Sequence, residues 1–562
     1  MIAPKEILKK YWGFSQFRPQ QEEIISSVLK QNDVITLLPT GGGKSICFQI
    51  PALAKEGICL VISPLIALMK DQIENLERKG IKAISIPSGT KQNDLIILFD
   101  NIKFGGYKFL YISPERLQSY FIRQKIKELN INLIAIDEAH CISEWGHDFR
   151  PSYRGIKEIR SIKPTVNFIA LTATANKKII EDISKNLDLR VPEIFKQSFL
   201  RKNLAYQVFK IEDKLQRVLQ IFKKTRKPAI VYVNSRKKTV QIAAFLNANN
   251  LRSTFYHGGM SSQEKNNAFE NWMKETTPIM VATNAFGMGI DKENVGVVIH
   301  LDLPSSIENY VQETGRAGRN KEKSFAVLLF NENDILLFKD TLKKSLLTIK
   351  EIKEIHKKLY QYFRISMGEL STDSFNFNSL EFSKKYNFSL FKVDATIKIL
   401  SNNGILEINN QYDKKSTIQF IIQSQRILSY LEKNKNIKKF TNSILRTYTG
   451  LFEEEVKIDE FLIAKKNGIT KKQVVSNLDY LQKEEIIQYK GEKSNVELLF
   501  LLPREDDYTI NKYSKEIQQI IDQKKKKSND LIRFVNNDKM CRCIQVLHYF
   551  DDFETQKCGV CD

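Results

Sequence analysis

Two groups of residues in this chain have types and spacings suited to chemistry. The first is Leu38-Pro39-Thr40-Gly41-Gly42-Gly43-Lys44-Ser45, which follows an apolar run at 34–38 and opens a helical pattern. Successive glycines let backbone N–H groups turn toward one anion, and a helix N-terminus adds partial positive charge. Thr40, Gly41, Gly42 and Gly43 would form the cradle, Lys44 can reach the outer phosphates of a nucleotide, and Ser45 can ligate magnesium. The strict pattern wants Gly at the position of Leu38, so one element is missing. The second group is Asp137-Glu138-Ala139-His140, at the end of the apolar run 133–136. Asp137 at a strand terminus can hold magnesium, usually through water. Glu138 is placed to orient an attacking water. Phosphoryl transfer depends mainly on positioning and charge neutralisation, which these groups together supply. Their bland readings are a glycine turn and a capping pair.

The residues after His140 are of a different kind. Trp145, His147, Phe149 and Arg150 lie in a polar loop. Aromatic faces there can stack on bases, and Arg150 offers a charged contact. The alternative is that Trp145 caps the core. Further on, Gln312-Glu313-Thr314-Gly315-Arg316-Ala317-Gly318-Arg319 holds two arginines three apart, on one face if helical. Arg316 and Arg319 can reach across a cleft to a terminal phosphate, a contribution typically of about 10³–10⁵ in rate. Thr283-Asn284-Ala285-Phe286-Gly287-Met288-Gly289-Ile290-Asp291 can offer backbone contacts to phosphate.

These residues need a frame. Strand-like runs at 34–38, 58–63, 83–86, 109–113, 133–137 and 168–172 alternate with helical patterns. The scheme repeats at 229–233, 253–256, 279–282, 295–300 and 326–330. Such alternation predicts parallel sheets with crossover helices, hence an α/β chain with one lobe over 1–200 and a second over 201–335. A helical linker is expected over 336–372. A weak repeat follows: Val393, Ile397, Leu400 and Ile405 share their spacing with Val474, Leu478, Leu481 and Ile486. Each set reads as a helix that gives way to strand residues, 405–408 with 417–422 and 486–489 with 496–501. That is a winged-helix pattern, and it predicts two such α+β units in tandem, 373–430 and 431–503. A charged helix or linker is expected over 504–530.

The chain has 562 residues and a net charge of +22, so a polyanion partner is favoured over a merely Lys-rich habit. No run of 18 apolar residues exists, and the first ten residues lack an apolar signal core. A cytoplasmic location, with no membrane partner, is expected. Of seven cysteines, Cys541, Cys543, Cys558 and Cys561 crowd the C-terminal end. In a cytosolic chain such a cluster reads as a metal site over 531–562.

By these residues the chain resembles the RecQ family of superfamily 2 DNA helicases, continuously over about 1–335 and again at the terminal cysteines. The resemblance implies two RecA-like lobes, ATP and Mg²⁺ at the phosphate loop, and 3′ to 5′ movement on single-stranded DNA. It places the protein at the bacterial nucleoid, acting on duplex and branched DNA. Trp12-Gly13-Phe14-Ser15-Gln16-Phe17-Arg18-Pro19-Gln20-Gln21 resembles the adenine-binding motif, which assigns Phe14 and Arg18 to stacking and Gln21 to the base edge. Ser63, His140, Trp145, Phe149, Arg150, Asn234 and Ser235 match strand-contacting positions. Leu171-Thr172-Ala173-Thr174-Ala175 is similar to the motif coupling hydrolysis to lobe movement. Residues 141–154 resemble the aromatic-rich loop that separates this family from RNA helicases of the superfamily. The terminal module resembles a zinc motif with Cys541, Cys558 and Cys561 as ligands. Here the chain departs from the pattern: Cys543 stands where the family has Arg, and the family expects a further Cys three residues after Cys561. Either Cys543 completes a four-thiolate Zn²⁺ site or the remaining ligand lies beyond Asp562. The winged-helix-like units also precede the cysteines, a variant arrangement, and Gly296 stands where the family often has Arg. An RNA helicase and a DNA-binding regulator with a vestigial motor are the competing readings.

Overall fold

The computed structural model describes the chain except residues 1, 40, 65, 87–91, 144–148, 288–291, 372, 410–415, 491–495 and 554–555. It forms two compact units, Met1–Leu346 with Gln518–Asp562, and Leu347–Ile517. The boundary between them falls within the helix Asp507–Asn536, which covers the expected charged segment.

The first unit carries two parallel sheets. One contains β1 (Val34–Leu37), β2 (Ile58–Ile62), β3 (Ala83–Ser85), β4 (Phe109–Ile112), β5 (Ile131–Ile136), β6 (Phe168–Thr172) and β7 (Glu193–Lys196), in the order β3-β4-β2-β5-β6-β1-β7. Side chains alternate across it. Ile35 and Leu37 of β1 enter one core, while Val34 and Leu38 enter the core on the opposite face. Burial on both faces is why these strands read as unbroken apolar runs. The second sheet contains β8 (Leu204–Lys210), β9 (Ala229–Tyr232), β10 (Ser253–Tyr256), β11 (Ile279–Ala282), β12 (Val297–His300) and β13 (Ser324–Phe330), in the order β10-β11-β9-β12-β13-β8. The alternation rule did not reveal β7 or β8. Strand β7 is an edge with two exposed residues, and β8 is interrupted by Gln207 and Lys210.

The terminal module docks on the second lobe. Leu531, Phe534, Val535, Cys543, Val546, Leu547 and Phe550 share one core with Tyr206 and Tyr310. Phe550 stacks on Phe199 at 4.4 Å, and the Val208 N–H donates to the Asp562 carboxylate at 3.0 Å.

In the second unit the structure corrects the expected wings. The helices fall where the repeat places them, at Ser379–Tyr386 with Leu390–Asn402 and at Glu460–Asn467 with Lys471–Lys483. The strands do not pair within each repeat. With β14 (Ser374–Phe377), β15 (Leu406–Asn409), β16 (Thr417–Phe420), β17 (Val456–Lys457), β18 (Ile487–Lys490) and β19 (Val496–Phe500), the two sheets are β14-β19-β15 and β17-β16-β18. Thus β15 pairs with β19, with Leu406 opposite Phe500, and β16 pairs with β18, with Phe420 opposite Ile487. The expected hairpin of 405–408 with 417–422 does not form. Instead the second winged-helix-like unit is nested inside the wing of the first. An apolar period fixes which side of a strand is buried, but it does not name the partner.

Candidate functional site

The phosphate loop joins β1 to the helix Lys44–Ala54. Gly41 and Gly43 have φ of 81° and 77°, the left-handed region that side chains resist. The cradle has no room to spare. A Cβ on Gly42 would lie 2.9 Å from the Pro39 carbonyl, and one on Gly43 would lie 2.4 Å from the Gln21 amide nitrogen. Gln21 is buried and donates to the Gly43 carbonyl at 3.1 Å. Arg18 donates to the Gly41 carbonyl, and its own N–H is accepted by the Gln21 side chain at 2.9 Å. Phe14, four residues before Arg18, is 54% exposed. These residues therefore fit a nucleotide: an anion cradle of backbone, bordered by the Arg18 guanidinium and the Gln21 amide. Thr40 lies outside the described residues.

Strand β5 delivers Asp137 and Glu138 to the same edge, with β6 between it and β1. The Asp137 N–H donates to the Ile62 carbonyl at 2.9 Å, which fixes the strand end. Burial pushes the Asp137 carboxyl up, to about 6; the Glu138 charge adds to this and Lys44 opposes it. The Gln72 amide also leans on Asp137, and is itself held by the Tyr111 hydroxyl at 2.9 Å. Lys44 Nζ stands 4.0 Å from Glu138. A buried carboxylate beside a lysine and a phosphate cradle suits a hydrated divalent cation.

His140, expected at the nucleic-acid surface, is fully buried. Its Nδ1 lies 2.9 Å from Thr172 Oγ1 and 3.4 Å from Glu138. It links the acid pair to the end of β6, and its position next to a polar loop in sequence concealed that role. Ser63 is buried too. Phe149 and Arg150 are half-buried. The Arg154 guanidinium lies 5.1 Å from the Phe149 ring, and Arg150 donates to the Pro64 carbonyl at 3.1 Å. Asn234 and Ser235 are exposed on the second lobe, where Ser235 caps the helix Arg236–Ala248. Trp145 and His147 lie outside the described residues, as does the segment 288–291.

The arginines differ from their expected arrangement. The helix Ile307–Thr314 ends before them, and Gly318 turns with φ of 64°, so they do not share a helix face. Arg316 is buried and donates to the Gly287 carbonyl. Arg319 is the residue brought to the phosphate loop: a Cβ on Gly41 would lie 3.2 Å from Arg319 Cγ. At Gly296 the Lys227 stem fills the space, 2.5 Å from where a Cβ would stand.

Cys541, Cys558 and Cys561 gather with their sulfurs within 4.8 Å of one another. The Cys541–Cys558 and Cys558–Cys561 separations are 3.4 and 3.1 Å. Thiolates around one zinc stand roughly 3.8 Å apart, from Zn–S bonds of about 2.3 Å, so the trio fits that ion. Cys543 is buried beside Cys558 but outside the trio.

The comparisons with known proteins fall on these same segments. The DEAD/DEAH box helicase model matches residues 18–183, and the helicase conserved C-terminal domain model matches 213–321. A RecQ helicase winged-helix domain of Bacteroidota matches 418–491, the nested unit, and the RecQ zinc-binding model matches 504–562. The chain is 33% identical over 445 residues to the probable ATP-dependent DNA helicase RecS of Bacillus subtilis, covering 77% of this chain and 89% of RecS. The chain belongs to the RecQ family. It is 41% identical over 356 residues to the ATP-dependent DNA helicase RecQ of the same organism, covering 63% of this chain. It is 40% identical over 332 residues to the RecQ of Pasteurella multocida, covering 58% of this chain. It spans 60% and 52% of the lengths of those two RecQ proteins. A crystal structure of the helicase MrfA bound to DNA shares the fold, with a TM-score of 0.51 at 18% identity over 73% of this chain and 58% of that one. The RecQ assignment thus carries the two-lobe fold, the winged helix and the zinc module, and it supports ATP and zinc as ligands. Among the described residues no helix is long and apolar enough to cross a membrane.

Proposed function

We propose that this protein is an ATP-dependent DNA helicase that moves 3′ to 5′ along single-stranded DNA and unwinds duplex or branched DNA during recombination and repair. The observation that carries this reading is the meeting of both lobes on one phosphate cradle: Lys44 and Glu138 from the first, Arg319 from the second. Hydrolysis that depends on both lobes is hydrolysis that can drive their relative movement.

The cradle binds the phosphates through backbone N–H groups, and Lys44 neutralises their charge. Asp137 and Ser45 would hold Mg²⁺, which would supply charge compensation for the phosphates. Glu138 orients the water and Arg319 meets the charge that develops on the terminal phosphate. Arg316 holds the Gly287 loop in place. Phe14, Arg18 and Gln21 select the base. Phe149, Arg150, Asn234 and Ser235 would contact the strand, a role the family resemblance also gives to Trp145, while His140 would pass the state of Glu138 to Thr172. Cys541, Cys558 and Cys561 would hold zinc, with the fourth ligand either Cys543 or a residue beyond Asp562, and the bound metal would stabilise the terminal module. The net charge of +22 suits a polyanion, and the family suits a cytoplasmic, nucleoid-associated enzyme.

The deciding experiment is strand displacement on partial duplexes with a 3′ or a 5′ single-stranded overhang. Unwinding of the 3′ substrate alone, dependent on ATP, supports the reading. Unwinding of the 5′ substrate alone contradicts the polarity, and stronger stimulation of hydrolysis by RNA than by DNA would favour an RNA helicase.

A further inference from the structure

The turn Pro151–Ile156 stands at the foot of the aromatic-rich loop and is tied to three separate segments of the first lobe. Arg150, just before it, donates to the Pro64 carbonyl at 3.1 Å. Ser152 donates to the Glu115 carboxylate at 2.9 Å. Tyr153 donates through its hydroxyl to the main-chain carbonyl of Asp137 at 2.9 Å. The Tyr153 ring is fully buried. Burial also raises its pKa well above the ordinary phenol value, so the hydroxyl stays a donor.

The carbonyl that Tyr153 holds belongs to the peptide unit joining Asp137 to Glu138. The N–H of that same unit donates to Asp137 Oδ1 at 2.9 Å. The peptide plane is therefore gripped on both edges. Immediately after it, Glu138 adopts φ 47° and ψ 46°, a left-handed conformation that costs a residue with a Cβ roughly 1–2 kcal/mol. Such a conformation persists only where its surroundings hold it.

We propose that Tyr153 is a positioning residue: its hydroxyl fixes the Asp137–Glu138 peptide and so aims the Glu138 carboxylate, linking the turn at the foot of the nucleic-acid loop to the water-orienting acid. The proposal rests on the helicase reading above and names the tie through which a bound strand acts on that site. Arg150 follows the strand-facing loop in the sequence; its N–H donates to the Cys141 carbonyl and its own carbonyl accepts from the Tyr153 N–H. A shift of Arg150 is thereby carried within three residues to the Asp137 carbonyl.

The test is steady-state ATP hydrolysis by the full chain with a thymidine homopolymer as the strand, comparing wild type, Tyr153→Phe and Ser152→Ala. Phe keeps the ring and removes only the donor. Ser152→Ala cuts the neighbouring tie to Glu115 and leaves the Asp137 carbonyl bonded. The expected result for Tyr153→Phe is a tenfold or greater fall in strand-stimulated kcat. The KM for ATP, the strand affinity and the melting temperature should stay near wild type, and Ser152→Ala should remain within twofold throughout. An unchanged kcat in Tyr153→Phe overturns the proposal. So does a rise in KM alone, a matching loss of strand affinity, a lowered melting temperature that accounts for the lost rate, or an equal fall in Ser152→Ala. A wild-type chain that hydrolyses no ATP would instead defeat the helicase reading itself.

Discussion

Arg319 of the second lobe lies against Gly41 of the first, with its Cγ 3.2 Å from where a Gly41 side chain would begin. Two consequences meet at this point. Glycine at 41 suits both its left-handed φ of 81° and the close arginine stem, which stands beside the loop proposed to hold the phosphates.

Arg319→Ala should therefore lower kcat for ATP hydrolysis by about 10³-fold or more, the usual scale for a charge supplied across such a cleft. ATP binding should weaken far less. Nucleotide titration beside a phosphate-release assay separates the two effects. A variant with full turnover would place the transition-state charge elsewhere.

Gly43→Ala should act on binding. The added Cβ would sit 2.4 Å from the Gln21 amide nitrogen and force an alanine into φ 77°. Strain of about 1–2 kcal/mol plus the displaced amide should raise the Kd for ATP at least tenfold. Binding measured in the absence of DNA reads this directly, and an unchanged Kd would show that the loop opens to admit the methyl.

The phosphate cradle, the acid pair and the two lobes were legible because each rests on a local rule: glycine before a helix, carboxylates after a buried strand, alternation of apolar runs. Four features were not. His140 stands at the start of a polar loop, yet a short turn, Ala139–Ile142, folds it inward to Thr172. Arg316 and Arg319 fit a helical spacing, but Gly315 and Gly318 interrupt it. The nested wings depend on pairing Leu406 with Phe500, partners far apart in the chain. Tyr153 carried no sequence signal, since a buried tyrosine reads as core until its hydroxyl is seen to reach Asp137.

Purified protein should carry one zinc per chain. Cys558→Ser should lose it and lower the melting temperature, because the thiols pack into the core of the second lobe. Cys543→Ser should also reduce the zinc content. Full retention of the metal in Cys543→Ser would exclude it as the fourth ligand.

The second compact unit, Leu347–Ile517, should weaken in acid. His356 is fully buried against Tyr360, at 4.8 Å. Burial pulls its pKa down to about 4 from 6.5; Asp506 and Asp507 oppose this and Arg504 adds to it. The unfolded chain thus takes up the proton first. The neutral ring's contribution is whole above pH 6.5 and is lost as the pH falls toward 4, up to about 3 kcal/mol. Denaturant unfolding at pH 7 and 4.5 should show a loss that His356→Leu reduces. Equal losses in both proteins would place the acid sensitivity in other groups.

The central claim is that a bound DNA strand permits ATP hydrolysis at the Lys44–Glu138 site. It is tested most directly by phosphate release from wild type and Glu138→Gln, each with and without single-stranded DNA. The account predicts strong stimulation of wild type by DNA, and no hydrolysis by Glu138→Gln under either condition although it still binds DNA. Hydrolysis by wild type that is indifferent to DNA, or near-normal turnover in Glu138→Gln, would contradict it.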